Sequence, residues 1–140
     1  MSLVLDSSIT LAWLYREEAT ESADQIFENL IEASAWVPAL WHLEVANVLQ
    51  VGIRRGRHAA DFRDRVLADL SEFPIHVDSE TARQAWGATA RLAEHHRLTV
   101  YDAAYLELAL RRRLPLATLD DQLPRKQNSA GGTSWQPISR

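Results

Sequence analysis

The sequence predicts an α/β domain in which a parallel sheet carries helices on both faces. Short apolar runs at Leu3–Leu5, Ala35–Val37, Ile75–Val77 and Leu114–Thr118 alternate with longer segments of helical periodicity, the pattern of successive βα units. The first run, Leu3-Val4-Leu5, has no polar alternation, as expected of a strand buried on both faces. At 140 residues the chain has the size of a single domain, 1–140, and no internal repeat or long linker divides it.

In order, Leu3–Leu5 delivers Asp6 to the carboxyl end of the first strand, and Ser7 and Ser8 follow as small hydroxyl residues suited to capping a helix. That short helix runs from Ser8 to Arg16. Thr20 caps a second, whose Ala23, Ile26, Phe27, Leu30 and Ile31 form one apolar stripe. Strand two, Ala35–Val37, closes at Pro38. Helix three spans about Ala39 to Arg55 and stops at Gly56. Helix four, about Ala59 to Glu72, turns Phe62, Val66, Leu70 and Phe73 inward. After strand three, Ile75–Val77, Ser79 caps a helix with a small-residue stripe through Ala82, Ala85, Trp86, Thr89, Ala90 and Ala93. Tyr101, Ala104, Tyr105, Leu108 and Ala109 mark a further helical face. Strand four is Leu114–Thr118, with Pro115 at its start. A short helix after Asp120, a loop at Asn128–Gly132 and an edge strand at Trp135–Ile138 complete the expectation.

Composition narrows the function. There is no cysteine, which excludes disulfides, thiolate zinc sites and a cysteine nucleophile. No apolar run approaches the roughly 20 residues of a membrane span, and no basic leader precedes an apolar core; the expectation is a cytoplasmic protein with no membrane role. The net charge is −4, from 19 acids against 15 Lys and Arg, and it argues weakly against a bulk nucleic-acid binder. With four acids gathered at one metal site, the rest of the surface is formally neutral. The basic residues are nearly all Arg, bunched at Arg54-Arg55-Gly56-Arg57 and Arg111-Arg112-Arg113. Both clusters end helical patterns, so they suit phosphate contact and helix C-terminal charge equally.

The acids carry the chemistry. Asp6 follows strand one, Glu44 lies in the first turns of the helix after strand two, Asp102 opens the helix before strand four, and Asp120 and Asp121 follow strand four. In open α/β sheets, ligands bind outside the carboxyl ends of the strands. Close carboxylates repel by several kcal/mol per pair at low effective dielectric, so such a cluster needs protons or cations. All-oxygen ligands select Mg²⁺ or Mn²⁺, which activate water and stabilise the leaving oxygen of a phosphodiester. Each acid also has a structural explanation. Thr99-x-x-Asp102 and Thr118-x-x-Asp121 fit capping boxes, and acids in a first helical turn suit the macrodipole. Glu44 resists it best, being set in the apolar Leu43–Leu49 with Asn47 one turn on; a buried lone Glu needs a partner or a metal.

Val4-Leu5-Asp6-Ser7-Ser8, Leu43-Glu44-Val45-Ala46-Asn47, Thr99-Val100-Tyr101-Asp102-Ala103-Ala104-Tyr105 and Leu116-Ala117-Thr118-Leu119-Asp120 resemble the four motifs of the PIN-domain ribonucleases. They stand in that family's order and spacing from Leu3 to about Leu123, and at this length the VapC-like toxins of toxin–antitoxin pairs are the nearest group. The resemblance implies a PIN-like three-layer α/β/α sandwich with a short central parallel sheet of four to five strands. It implies a Mg²⁺- or Mn²⁺-dependent endoribonuclease that hydrolyses RNA, forms a homodimer and is inhibited by a small cognate antitoxin. By motif match Asp6, Glu44 and Asp102 are the core metal-holding and catalytic acids, and Asp120 is the fourth. Asp121 stands beside it, and Ser8, Asn47 and Thr118 fall where supporting polar groups lie.

Other readings are weaker. A haloacid-dehalogenase-type phosphatase needs a second Asp where Ser8 stands, and a receiver domain needs, besides an Asp at the end of strand three such as Val77-Asp78 offers, a Lys at a fourth or fifth strand end, where none follows. A catalytically silent PIN-type RNA- or protein-binding module is the alternative from another class. His42 points away from Glu44 on its helix, and His95-His96 suits a helix end. Trp36 and Trp86 are expected in the core. Trp13 and Trp41 lie near the acid-bearing segments, and the short helix holding Trp13 is apolar nearly all round.

Overall fold

The computed structural model describes residues 2–15, 28 and 34–119. Its elements are β1 (Leu3–Leu5), α1 (Ser7–Leu14), β2 (Ala35–Val37), α2 (Trp41–Arg54), α3 (Ala60–Ser71), β3 (Ile75–Val77), α4 (Thr81–Gln84), a π turn (Ala85–Thr89), α5 (Ala90–His96), α6 (Val100–Arg112) and β4 (Leu116–Ala117). The described strands form one parallel sheet in the order β3-β2-β1-β4, so the expected α/β class is the one adopted.

β1 lies inside the sheet because it is apolar on both faces. Val4 pairs with Trp36 on one side and Leu116 on the other. Val4 and Leu5 are both 0% exposed, and successive strand residues face opposite sides, so both faces of the sheet are covered. The strand order then fixes a site. The chain lays β2 and β3 on one side of β1 and crosses back to put β4 on the other. The crevice outside the carboxyl ends of β1 and β4 is the point where strand order reverses, the usual ligand position in open α/β sheets. Pro115, just ahead of β4, keeps only a carbonyl for pairing, and that carbonyl accepts from Val4 N–H at 2.8 Å.

The helices follow their apolar patterns. α1 is apolar nearly all round because it is buried nearly all round: Ile9, Ala12 and Leu14 are core and Leu11 and Trp13 pack against it. α2 buries Val45 and Leu49 and ends ahead of Gly56, whose φ of 72° is left-handed, a conformation glycine adopts without steric cost. Gly52 has a different reason. A Cβ there would stand 2.3 Å from His58 Nε2, and that ring folds back to hydrogen-bond Tyr15 Oη at 2.8 Å, clipping the end of α1 to the α2–α3 turn. α3 turns Val66 and Leu70 into the core, with Phe62 and Phe73 partly buried.

Several expectations are corrected. Trp86 is not core but 98% exposed. The π turn at Ala85–Thr89 inserts an extra residue into the helical repeat and rotates the stripe, so that of its expected members only Thr89 and Ala93 are buried. Trp36 is half-buried, capped by the Arg112 guanidinium 3.6 Å above its ring. Ser79 does not cap the next helix: Asp78 makes that turn, accepting from Glu80 N–H at 3.3 Å through Oδ2. Tyr101 is 66% exposed while Ala104, Tyr105, Leu108 and Ala109 of its expected face are buried. The helix expected after Thr20 and everything expected from Asp120 on, including the strand at 135–138, lie outside the described residues.

Candidate active site

Asp6 is where β1 becomes α1. Its N–H donates to Ala117 O at 3.0 Å, extending the β1–β4 pairing by one residue, and its carbonyl accepts from Ile9 N–H at 3.2 Å as the helix begins. Ser7 and Ser8 therefore lie inside the first turn rather than at the cap. The Asp6 side chain is 3% exposed and is held by two hydroxyls: Ser8 Oγ donates to Oδ2 at 2.6 Å and Thr118 Oγ1 to the same oxygen at 2.7 Å. Ser8 Oγ in turn accepts from Leu119 N–H at 3.0 Å. Charge-assisted bonds of this length are strong, and they fasten the exit of β4 to the start of α1.

Glu44 lies in the first turn of α2 and Asp102 in the first turn of α6. Thr99 caps α6, its Oγ1 accepting from Asp102 N–H at 3.0 Å, so half of the expected capping box forms. Glu44 is half-buried, and its Oε1 accepts a 2.6 Å hydrogen bond from Tyr105 Oη. Burial pushes its carboxyl above the ordinary value; the Tyr105 bond opposes this, and the charges of Asp6 and then Asp102 push it further up. Glu44 on α2 thus lies close enough to Asp6, at the end of β1, and to Asp102, on α6, to feel the charge of both. Burial raises the Tyr105 hydroxyl far above its ordinary value, reinforced by its bond to Glu44 and by the Asp6 charge.

Of the residues the sequence singles out, the structure brings together Asp6, Glu44, Asp102, Ser8 and Thr118. Asn47 is exposed and hydrogen-bonds to none of the three acids. Asp120 and Asp121 lie outside the described residues. His42 is exposed, its ring edge-on to Trp41 at 4.8 Å, away from the acids. Tyr105 is the site residue that motif reading gave no role; its signal is its spacing, three residues after Asp102 on the same helix face. Among the described residues, no group of three or more His, Asp or Glu side chains is already arranged to hold an ion.

The arginine cluster that closes α6 has a structural role. Arg111 and Arg112 both reach Asp78, which ends β3 and is 1% exposed, and Arg111 also binds Glu107. Burial pushes the Asp78 carboxyl up, but its hydrogen bonds and charge pairing with Arg111 and then Arg112 outweigh this and hold it below the ordinary value.

Residues 3–128 match the family model described as PIN domain. The chain is 36% identical over 130 residues to ribonuclease VapC3 of Pyrobaculum aerophilum, covering 90% of this chain and 95% of that one. Among solved structures, a protein from the same organism superposes with a TM-score of 0.64 at 26% identity, over 90% of this chain and 87% of the other. VapBC2 of Rickettsia felis, bound to a fragment of its promoter DNA, shares the fold at a TM-score of 0.65 and 15% identity, over 91% of this chain and 95% of that one. So does a toxin–antitoxin complex from Klebsiella pneumoniae, at 0.56 and 20%, over 84% and 86%. With its parallel sheet, its switch-point acids and a family match over most of its length, the chain belongs to the PIN domain family.

Proposed function

We propose that this protein is a divalent-metal-dependent endoribonuclease, the toxin of a toxin–antitoxin pair. The observation that carries the reading is the approach of Glu44 to both Asp6 and Asp102 at the switch point, where their charges help push its carboxyl up. An arrangement that raises a carboxyl this way works against the fold and is typical of functional sites. The name of the relative, ribonuclease VapC3, supports RNA as substrate, and the toxin–antitoxin complexes among its structural neighbours support a small cognate antitoxin as partner. A homodimer and action on cytoplasmic RNA belong to the same reading. No described helix is long and apolar enough to cross a membrane.

The donor set fits Mg²⁺ or Mn²⁺: it is all oxygen and carries the excess negative charge a hard dication offsets. Asp6, Glu44 and Asp102 would hold the ion, with Asp120 as the fourth acid beyond β4 and Asp121 beside it. When bound, the ion supplies Lewis acidity, which makes water a competent nucleophile and stabilises charge at the scissile phosphate. The chain's own part is to orient. Ser8 and Thr118 fix one oxygen of Asp6, Tyr105 fixes one oxygen of Glu44, and the α6 cap sets Asp102. The leaving 3′-oxygen then departs as water attacks phosphorus in line.

The test is cleavage of single-stranded RNA by purified protein with Mg²⁺, with chelator, and in Asp6→Asn and Asp102→Asn. Both variants are expected to lose on the order of a hundredfold or more, since each removes several kcal/mol of charge stabilisation. Cleavage that survives chelation, or matches wild type in both variants, refutes the mechanism. Absence of cleavage on any RNA favours the silent binding module.

A further inference from the structure

We propose that Tyr105 is a positioning residue for Glu44, holding its carboxylate in the orientation that receives the metal; the inference rests on reading Glu44 as a ligand. Tyr105 is 0% exposed, and its ring is part of the main apolar core. Packing alone asks for Phe there, because a buried phenol must find a hydrogen-bond partner. The partner it has is Glu44 Oε1, at 2.6 Å, and the donor and acceptor are 61 residues apart in sequence. A hydroxyl–carboxylate bond of that length is charge-assisted and directional.

Two helices meet at this oxygen. Glu44 reaches it from α2, and the hydroxyl stands on α6, one turn on from Asp102. The bond therefore ties together the two helices that carry Glu44 and Asp102. Glu44 on its own has three rotatable side-chain bonds and is only partly buried; with Oε1 committed to a rigid, buried ring, the second oxygen is confined to a narrow range of directions. Groups that orient metal-binding carboxylates by hydrogen bonding typically change metal affinity by roughly 10–100-fold when removed.

The experiment is a Mn²⁺ titration of the full chain without RNA, read by electron paramagnetic resonance of free Mn²⁺, on wild type, Tyr105→Phe, Glu44→Ala and the double variant. The melting temperature of each metal-free protein serves as the folding control. Tyr105→Phe is expected to weaken Mn²⁺ binding by about tenfold while Glu44 is present, and to change nothing further once Glu44 is Ala. Unchanged affinity in Tyr105→Phe overturns the proposal, and so does an equal loss in the Glu44→Ala background. Wild type that binds no Mn²⁺ overturns the metal reading itself, and this inference with it. If Tyr105→Phe does not fold, Glu44→Asp carries the test, since it keeps the charge but withdraws it from the hydroxyl. Affinity retained in that variant overturns the proposal.

Discussion

Thr118→Val isolates what the two hydroxyls do for Asp6. Valine has nearly the shape of threonine, so the change removes one 2.7 Å donor from a carboxylate that is 3% exposed and adds little else. Hydrogen bonds to a charged group contribute about 1.5–3 kcal/mol. Ser8 still donates to the same oxygen at 2.6 Å, so the carboxylate is weakened rather than orphaned. For a chain of this length, each kcal/mol corresponds to about 3–4 °C in melting temperature, so the expected fall is about 5–12 °C. The charge of Asp6 should account for part of it. In an Asp6→Asn background the lost bond is neutral, and its cost drops to about 0.5–1.5 kcal/mol, a coupling of about 1 kcal/mol. The assay is calorimetric melting of the four metal-free proteins at neutral pH. A Thr118→Val variant that melts within about 1 °C of wild type, or one whose penalty is the same with and without the Asp6 charge, refutes the clamp.

Two further outcomes are expected. Glu44 has its carboxyl raised in the folded protein, so the native state holds the proton more tightly than the unfolded chain does. The stabilisation is complete below the unfolded value near 4.5 and is lost as pH rises through the folded one. Metal-free protein should therefore lose stability as pH climbs from that value, and Glu44→Gln should flatten the slope; a slope untouched by that change contradicts the assignment. Asp78 has the opposite sign. Its carboxyl is held down by Arg111 and Arg112, so it stabilises above the unfolded value near 3.8 and the benefit fades as pH falls through the folded one. Asp78→Asn takes the carboxylate from Arg112 and leaves Arg111 with Glu107 alone, and should cost about 3 kcal/mol at neutral pH, measured by urea unfolding, with RNA cleavage retained.

The strands and most helix limits were legible because their signals are local: apolar triplets, Pro38, Gly56, and apolar residues at helical spacing. The acids at strand ends and in first helical turns were legible for the same reason, since a parallel sheet sends every such position to one edge. Trp86 was misread because a π turn depends on what the helix packs against, and nothing in Ala85–Thr89 announces it. Tyr105 could be assigned to a buried helical face, but its hydroxyl partner comes from another helix 61 residues away. Arg111 and Arg112 were left between phosphate contact and helix termination. What settles their role is Asp78, which only the folding of β3 beside β2 brings within reach.

Asp6 and Asp78 make the comparison that separates function from architecture. Both directly follow a strand, and both are buried, at 3% and 1% exposure; along the chain they give the same signal. Strand order gives them different surroundings. β3 is the outer strand, and the acid at its end meets two guanidiniums from the last turn of α6 and is neutralised. β1 lies at the reversal of strand order, and the acid at its end meets two hydroxyls and the charge of Glu44. The charges of Asp6 and Asp102 push the Glu44 carboxyl up, which works against folding, whereas the partners of Asp78 hold its carboxyl down and favour it. That contrast supports the reading of Asp6, Glu44 and Asp102 as the metal-holding acids. The repulsion that raises Glu44 is what a dication relieves, so metal binding and site formation should be measurable as one event: the pH slope assigned to Glu44 should vanish when Mn²⁺ is present.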